Sequence, residues 1–206
     1  MSATRVGPVD IVGAGLIGTS IGLALASGGE QVHLIDRSSS HALVAAGLGA
    51  GVVERPAPDS VRLVVVATPP DSVATVVVAA LKAYPNAVVT DVASVKGSVH
   101  RRLAASGADL TRYVGSHPMA GSQHAGPLTA VAELFVDRTW VITASPQNDP
   151  ADVERVRDLA RACGARIIEM EADEHDQAVA QVSHVPQLMS TLTAGHLRAV
   201  PEPHLH

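Results

Sequence analysis

The stretch Val9-Asp10-Ile11-Val12-Gly13-Ala14-Gly15-Leu16-Ile17-Gly18 decides the fold of this chain. Its first four residues are typical of a short buried strand, and its last residues begin a helical pattern. Between them lies a G-x-G-x-x-G motif. Gly13 permits a tight turn, Gly15 lets a pyrophosphate approach the backbone, and Gly18 lets the helix lie close to the strand. The free N–H groups and the positive dipole at the helix N-terminus favour an anion. The stretch predicts a dinucleotide site formed by Gly13, Gly15, Leu16, Ile17 and Gly18.

A carboxylate at the end of the second predicted strand bears on the choice of dinucleotide. The strand covers residues 31–35 and is followed directly by Asp36, which can accept hydrogen bonds from both hydroxyls of an adenosine ribose. A 2′-phosphate would meet its negative charge, so Asp36 favours NAD over NADP. Arg37 leaves the alternative open, because a guanidinium can bind a 2′-phosphate or lie flat against adenine. We expect NAD, with Asp36 and Arg37 among its contacts.

Short β-branched runs alternate with helical patterns along most of the chain, which is typical of βαβ units. The predicted strands are residues 9–12, 31–35, 61–67, 87–90, 113–116, 139–143 and 166–170. The predicted helices include residues 16–26, 73–84 and 151–163. Most of these strands are apolar throughout, as expected when helices cover both faces of a sheet. The fold class is therefore α/β, a Rossmann-type doubly wound, mostly parallel sheet.

The composition changes after Met170, where an acidic stretch precedes a helical pattern over residues 177–199. Pro186 lies inside this pattern and should kink or break the helix. We place residues 1–171 in a dinucleotide-binding domain and residues 172–206 in the start of an all-helical second domain. A lone helix cannot bury its own apolar face, so it must pack on the first domain, on another chain or within a larger helical domain.

Composition and charge argue against several classes of binding partner. The 206 residues are 47% hydrophobic but only 2% aromatic, so small aliphatic side chains must fill the core. A net charge of -5 and scattered arginines argue against nucleic acid or an anionic membrane as a partner. A single cysteine, Cys163, excludes an internal disulfide, and no leader or membrane-length apolar run is visible. We expect a cytoplasmic protein with a small-molecule ligand.

Polar residues follow several predicted strands at the sheet edge where ligands bind in such folds. Thr68 and Pro69 end one strand and are expected to wall the cofactor site, although the prolines here can also simply start a helix. Ser94 follows another strand and either reaches substrate or caps the next helix. A ligand can also reach Lys96, or this side chain is simply solvated. No set of His, Cys, Asp and Glu has metal-ligand spacing, so we expect no metal.

His117 is the histidine best placed for chemistry, because it follows the predicted strand 113–116 at the ligand edge. An imidazole that is neutral at pH 7 can accept the proton of an alcohol as hydride leaves the same carbon. We therefore interpret His117 as a candidate general base.

Four motifs in order resemble the prephenate dehydrogenase family, including its arogenate dehydrogenase members. They are the glycine motif, D-V-A-S-V-K-G at 91–97, G-S-H-P-M-A-G at 115–121 and S-H-V-P at 183–186. The resemblance covers nearly the whole chain, and G-S-H-P-M-A-G is the most specific part of it.

The resemblance implies an NAD-dependent oxidative decarboxylation in tyrosine biosynthesis, in which the substrate ring becomes aromatic. It places the catalytic histidine at His117 and a serine that binds near the substrate hydroxyl at Ser94. The substrate contacts that it implies, besides these two, are Ser122, Gln123, Ser183, His184 and Gln187.

The family's helical domain forms a homodimer and supplies an arginine that binds a substrate carboxylate, and no position of this chain matches that arginine. Gln187 stands where some members, the prephenate-using ones among them, have a histidine, and Gln123 stands where a glutamate is often found. A glutamine cannot carry a positive charge toward a ring carboxylate, which favours arogenate weakly.

Two other hypotheses stay open. A β-hydroxyacid dehydrogenase would need a catalytic lysine in its helical domain, and no lysine follows Lys96. A dinucleotide-binding module without catalysis would keep only the cofactor site.

Overall fold

The computed structural model describes residues 6–121 and 125–181 of the chain. Within these ranges seven strands form a single sheet in the order β2-β1-β3-β4-β5-β6-β7. The strands are β1 (Val9–Val12), β2 (Val32–Ile35), β3 (Leu63–Val66), β4 (Val88–Asp91), β5 (Tyr113–Pro118), β6 (Thr139–Thr143) and β7 (Arg166–Glu169). The helices are α1 (Leu16–Ser27), α2 (Ser39–Gly47), α3 (Pro70–Ala83), α4 (Gly97–Ala105), α5 (Pro150–Ala162) and α6 (Ala172–Val179).

Strand pairing confirms the doubly wound, mostly parallel sheet. β1 pairs in parallel with β2 on one side and with β3 on the other, so the chain winds outward from β1 in both directions. β3, β4 and β5 continue in parallel, β5 and β6 are antiparallel, and β6 and β7 are parallel again. In such a sheet the crevice beyond the carboxyl end of β1 is the place where a ligand binds.

The two faces of the sheet bury separate hydrophobic clusters, as β3 illustrates. Leu63 and Val65 belong to one cluster, whereas Val64 and Val66 belong to the other. All four side chains are fully buried. Because successive side chains of a strand point to opposite faces, a continuous run of valines is what a strand covered by helices on both sides requires.

β5 is longer than its predicted range 113–116 and extends to Pro118. The extension arises from antiparallel pairing with β6, which sets His117 opposite Val141. His117 therefore lies inside β5, near its carboxyl end, rather than after it. Pairing with β6 holds its backbone in place.

The region after Met170 begins its helix earlier than predicted. α6 starts at Ala172, not at residue 177, because the acidic residues Asp173 and Glu174 occupy its first turn, where the helix dipole favours them. α6 packs against α4 and β6. The rest of the predicted helical pattern lies outside the described residues, and the domain boundary after residue 171 stays a prediction. No helix in the described part of the chain is both long and apolar enough to cross a bilayer.

Candidate active site

The glycine turn between β1 and α1 is built so that side chains cannot be added at two of its positions. Gly13 has a φ of +112°, and a Cβ there would lie 2.4 Å from the carbonyl oxygen of Ala67. A Cβ at Gly18 would lie 1.9 Å from the carbonyl oxygen of Gly13. At Gly15, the N-cap of α1, a Cβ would meet no atom of the described residues within 4 Å. The space over Gly15 and the uncapped helix N-terminus fit a pyrophosphate.

Asp36 ties the glycine turn to the end of β2. Its Oδ2 accepts a hydrogen bond from the N–H of Ala14 at 2.7 Å, and its Oδ1 accepts one from the N–H of Ser38 at 2.7 Å. Each carboxylate oxygen keeps a second lone pair with which it can accept a ribose hydroxyl. The carboxylate thus has a structural role in the turn that its sequence position did not reveal.

A cleft of about 260 Å³ opens beside Asp36, and its lining is mainly apolar, with Leu34, Ile35 and Leu43 among its walls. Such a surface suits one face of an adenine ring. Arg55 lines this cleft and Arg37 does not, although both side chains are exposed to solvent. Arg55 was not considered in the sequence analysis, because it lies in an irregular segment far from Asp36 along the chain.

A second cleft, of about 290 Å³, lies between the glycine turn and the ends of β4 and β5. It brings together five of the residues predicted from sequence, which come from four separate segments: Leu16, Ile17, Thr68, Ser94 and His117. Pro70 also lines this cleft, while Pro69 is exposed and forms the N-cap of α3.

The hydroxyl of Thr68 is a polar group beside the glycine turn that the protein leaves unsatisfied. Its Oγ1 is buried and has no hydrogen-bond partner among the described residues. A buried hydroxyl without a partner costs free energy, and a polar ligand in the cleft is one way to satisfy it.

Ser94 does not cap α4, which was the competing interpretation of its position. The helix begins at Gly97, and the side chain of Asp176 caps it from α6, accepting from the N–H of Lys96 and of Gly97, each at 2.8 Å. Ser94 is exposed on the wall that it shares with His117. Its hydroxyl is therefore available to a ligand.

His117 contacts a second histidine that the sequence analysis did not single out. Its Nδ1 lies 2.8 Å from Nε2 of His175, and the two rings meet edge to face with centroids 5.1 Å apart. His175 is fully buried, and its own Nδ1 lies 2.9 Å from Oδ1 of Asp176. The position of His175 in an acidic, helical stretch carried no signal for this contact, because the partner lies 58 residues away.

Lys96 is fully buried, so both expectations for it, that a ligand reaches it or that it is solvated, are wrong. Its ammonium pairs with Asp91 Oδ2 and donates to the carbonyl oxygen of Ser116 at 2.6 Å. Burial lowers the pKa of Lys96, and the charge and hydrogen bond of Asp91 oppose that shift. Tyr113 donates from its hydroxyl to Asp91 Oδ1 at 2.7 Å, and burial together with that carboxylate raises its pKa well above the ordinary value. A low-dielectric interior makes a lysine without a carboxylate partner unfavourable, so Asp91 accounts for the burial of Lys96.

This buried network fixes the two segments that carry the candidate catalytic groups. Asp91 ends β4 and also accepts from the N–H of Ala93 at 3.0 Å, next to Ser94. Lys96 holds the carbonyl of Ser116, next to His117. The remaining residues proposed from sequence for substrate binding lie outside the described residues: Ser122, Gln123, Ser183, His184 and Gln187.

Comparison with known proteins gives consistent results. Residues 21–169 match the family model described as prephenate dehydrogenase, nucleotide-binding domain. The chain is 42% identical over 187 residues to a probable prephenate dehydrogenase of Streptomyces niveus, covering 91% of this chain and 51% of that protein.

Two solved structures share the fold. The arogenate dehydrogenase of Synechocystis has a TM-score of 0.80 and 26% identity, covering 94% of this chain and 70% of that one. The prephenate dehydrogenase of Aquifex aeolicus, in complex with hydroxyphenyl propionate and NAD⁺, has a TM-score of 0.82 and 24% identity, covering 95% and 70%. The chain spans about half the length of curated relatives such as the Streptomyces niveus and Bacillus subtilis proteins.

Proposed function

This chain belongs to the prephenate dehydrogenase family, and we propose that it forms the cofactor-binding half of an NAD-dependent enzyme that oxidatively decarboxylates prephenate or arogenate. The single observation that carries the proposal is the shared cleft of Leu16, Thr68, Ser94 and His117. There a candidate base and a hydroxyl donor face the same space as the N-terminus of the helix that follows the glycine turn. Hydride transfer requires this proximity of cofactor and substrate.

The cofactor proposal rests on the glycine turn and Asp36. The open space over Gly15 suits a pyrophosphate, and the Asp36 carboxylate suits the hydroxyls of the adenosine ribose while opposing a 2′-phosphate. The Aquifex aeolicus relative, solved with NAD⁺, supports the same choice. When bound, NAD supplies the hydride acceptor.

His117 accepts the proton of the substrate hydroxyl as the carbon that bears it is oxidised. The substrate then loses its ring carboxylate as carbon dioxide, and the ring becomes aromatic. Aromatisation supplies the thermodynamic driving force, so the protein needs one base and an orienting group rather than many charges. Ser94 supplies that orienting group, donating or accepting a hydrogen bond at the same hydroxyl from the wall of the cleft that it shares with His117.

The proposal also includes substrate contacts outside the described residues, a homodimer and a cytoplasmic location. The family resemblance supports a homodimeric cytoplasmic enzyme, with Ser122, Gln123, Ser183, His184 and Gln187 completing the substrate contacts. Glutamine at positions 123 and 187 favours arogenate as the substrate.

The direct test is steady-state formation of NADH by the full protein that contains this chain. We expect turnover with arogenate or prephenate and NAD, and much weaker turnover with NADP. Isothermal titration with NAD in the absence of substrate separates binding from catalysis. NAD binding with no turnover of either substrate would instead support a binding module without catalysis.

A further inference from the structure

We propose that His175 and Asp176 are positioning residues that hold His117 in the tautomer with hydrogen on Nδ1, so that Nε2 is the nitrogen that takes the substrate proton. The tautomer does not depend on which reaction is catalysed, whereas its catalytic consequence rests on the proposed function. Nothing in the sequence pattern or in the family match points to these two residues.

The chain of hydrogen bonds begins at Asp176. Its two carboxylate oxygens accept from the N–H groups of Lys96 and Gly97, each at 2.8 Å, at the N-terminus of α4. Burial alone would raise the pKa of Asp176, but the hydrogen bonds from Lys96, His175 and Gly97 outweigh it and hold the pKa below the ordinary value. Asp176 is therefore ionised near neutral pH and can only accept hydrogen bonds.

The charge of Asp176 fixes the tautomer of His175. Because Oδ1 of Asp176 can only accept, Nδ1 of His175 at 2.9 Å must carry a hydrogen. His175 is fully buried, and this hydrogen bond to Asp176 holds its ring in one orientation. In its neutral form His175 presents a lone pair on Nε2.

That lone pair fixes His117 in turn. Nε2 of His175 lies 2.8 Å from Nδ1 of His117, so Nδ1 of His117 must donate. The neutral ring of His117 then carries its lone pair on Nε2, which is the form that accepts a proton. A doubly protonated His175 would reverse the arrangement and leave His117 unable to act as a base through Nε2.

Asp176 has a second effect on the same cleft. By capping α4 it anchors the segment 92–96, which carries Ser94. Asp173 and Arg101 lie next to Asp176 around Gly97, and the buried ion pair of Lys96 with Asp91 contacts the carbonyl oxygen of Ser116, the residue before His117. One carboxylate of α6 thus supports the segment that carries Ser94 and, through His175, the ring of His117.

The tautomer can be read directly in the full protein that contains this chain, labelled with ¹⁵N-histidine. Long-range ¹H–¹⁵N spectra distinguish Nδ1–H from Nε2–H rings, and a His117→Asn variant identifies the His117 signals. We expect Nδ1–H for His117 at a pH where its ring is neutral. An Nε2–H ring for His117 would overturn the proposal, whether or not the protein turns over either substrate.

Kinetics test the catalytic consequence. His175→Leu removes the acceptor for His117 and should lower kcat by about ten- to hundredfold, less than loss of the base itself, with KM and NAD affinity nearly unchanged. His175→Gln offers an amide oxygen as acceptor and should recover most of the loss. Glu174→Gln, at an exposed neighbouring position, is the matched control and should behave like wild type.

Two kinetic results would contradict the proposal. One is normal kcat and an unaltered pH profile in His175→Leu, and the other is equal loss in the Leu and Gln variants, which indicates a merely structural role. If the wild type turns over neither substrate, the proposed function fails while the NMR result still decides the tautomer.

Discussion

Nδ1 of His117 and Nε2 of His175 lie 2.8 Å apart, although 58 residues separate them in the chain. The contact joins the last strand of the parallel part of the sheet, β5, to the helix α6 that follows the sheet. It makes the candidate base dependent on a segment outside the glycine motif and its neighbouring strands. Substitutions can separate the role of His117 from the roles of the residues that support it and of those that bind the cofactor.

Replacing His117 by Asn should lower turnover by roughly 10²–10⁴-fold, the usual contribution of one general base. NAD affinity should change little, because the cofactor cradle is formed by other residues. Initial rates with saturating NAD, together with a calorimetric Kd for NAD, check both parts. Near-normal turnover in this variant would remove His117 from the mechanism.

Two glycine substitutions should separate cofactor binding from folding. Gly15→Ala places a methyl group in open space and should leave the free energy of unfolding within about 1 kcal/mol of wild type, while weakening NAD at least about tenfold. Gly18→Ala forces a Cβ to within 1.9 Å of the Gly13 carbonyl oxygen and should destabilise the fold by about 1–3 kcal/mol or more. Urea denaturation and NAD titration measure the two effects. Tight NAD binding by Gly15→Ala would argue against a pyrophosphate at this turn.

Cofactor preference should depend on Asp36 and Arg55 more than on Arg37. Asp36→Ser should weaken NAD and relax the exclusion of NADP, because it removes the charge that opposes a 2′-phosphate. Arg55→Ala should weaken NAD further than Arg37→Ala, since Arg55 lines the cleft beside Asp36 and Arg37 does not. Ratios of kcat/KM for the two cofactors provide the measurement. A larger loss from Arg37→Ala, or an unchanged preference in Asp36→Ser, would favour a site arranged around Arg37.

The buried ion pair should be essential for stability. Lys96→Met leaves the Asp91 carboxylate buried without its cation and should cost about 3–5 kcal/mol of unfolding free energy. Lys82→Met, an exposed lysine of α3, is the matched control and should change stability by less than about 0.5 kcal/mol. Chemical denaturation at pH 7 compares them. Equal effects of the two substitutions would contradict the buried pairing.

Asp176 should contribute stability that depends on pH. Its pKa is lower in the folded protein than the ordinary value of 3.8, so its contribution is fully present above about pH 4 and is lost as the pH falls through the folded pKa. Asp176→Asn should therefore destabilise the protein at pH 7, and the penalty should be smaller at pH 3. Denaturant midpoints at the two pH values check the sign. A penalty that grows on acidification would contradict the assignment of an ionised, hydrogen-bonded carboxylate.

The sheet was predictable because its signals are local. Continuous apolar runs such as residues 63–66 mark strands covered on both faces, and the glycine motif marks the first strand-turn-helix unit. The ends of strands and helices were less predictable. β5, for example, extends to Pro118 because it pairs with β6, a partner that is distant in the chain. The predicted site residues that line the cleft lie at or just beyond the carboxyl ends of strands. A parallel topology brings these ends together at one edge of the sheet.

The sequence by itself determined the fold class, the glycine turn and the position of Asp36, because each depends on residue spacing within one or two neighbouring elements. Only the tertiary structure decided that Lys96 is buried on Asp91 and that His175 and Asp176 support His117. The physical reason is that a buried polar side chain must find its partners wherever the fold brings them, and here one partner of His117, His175, comes from α6, far along the chain.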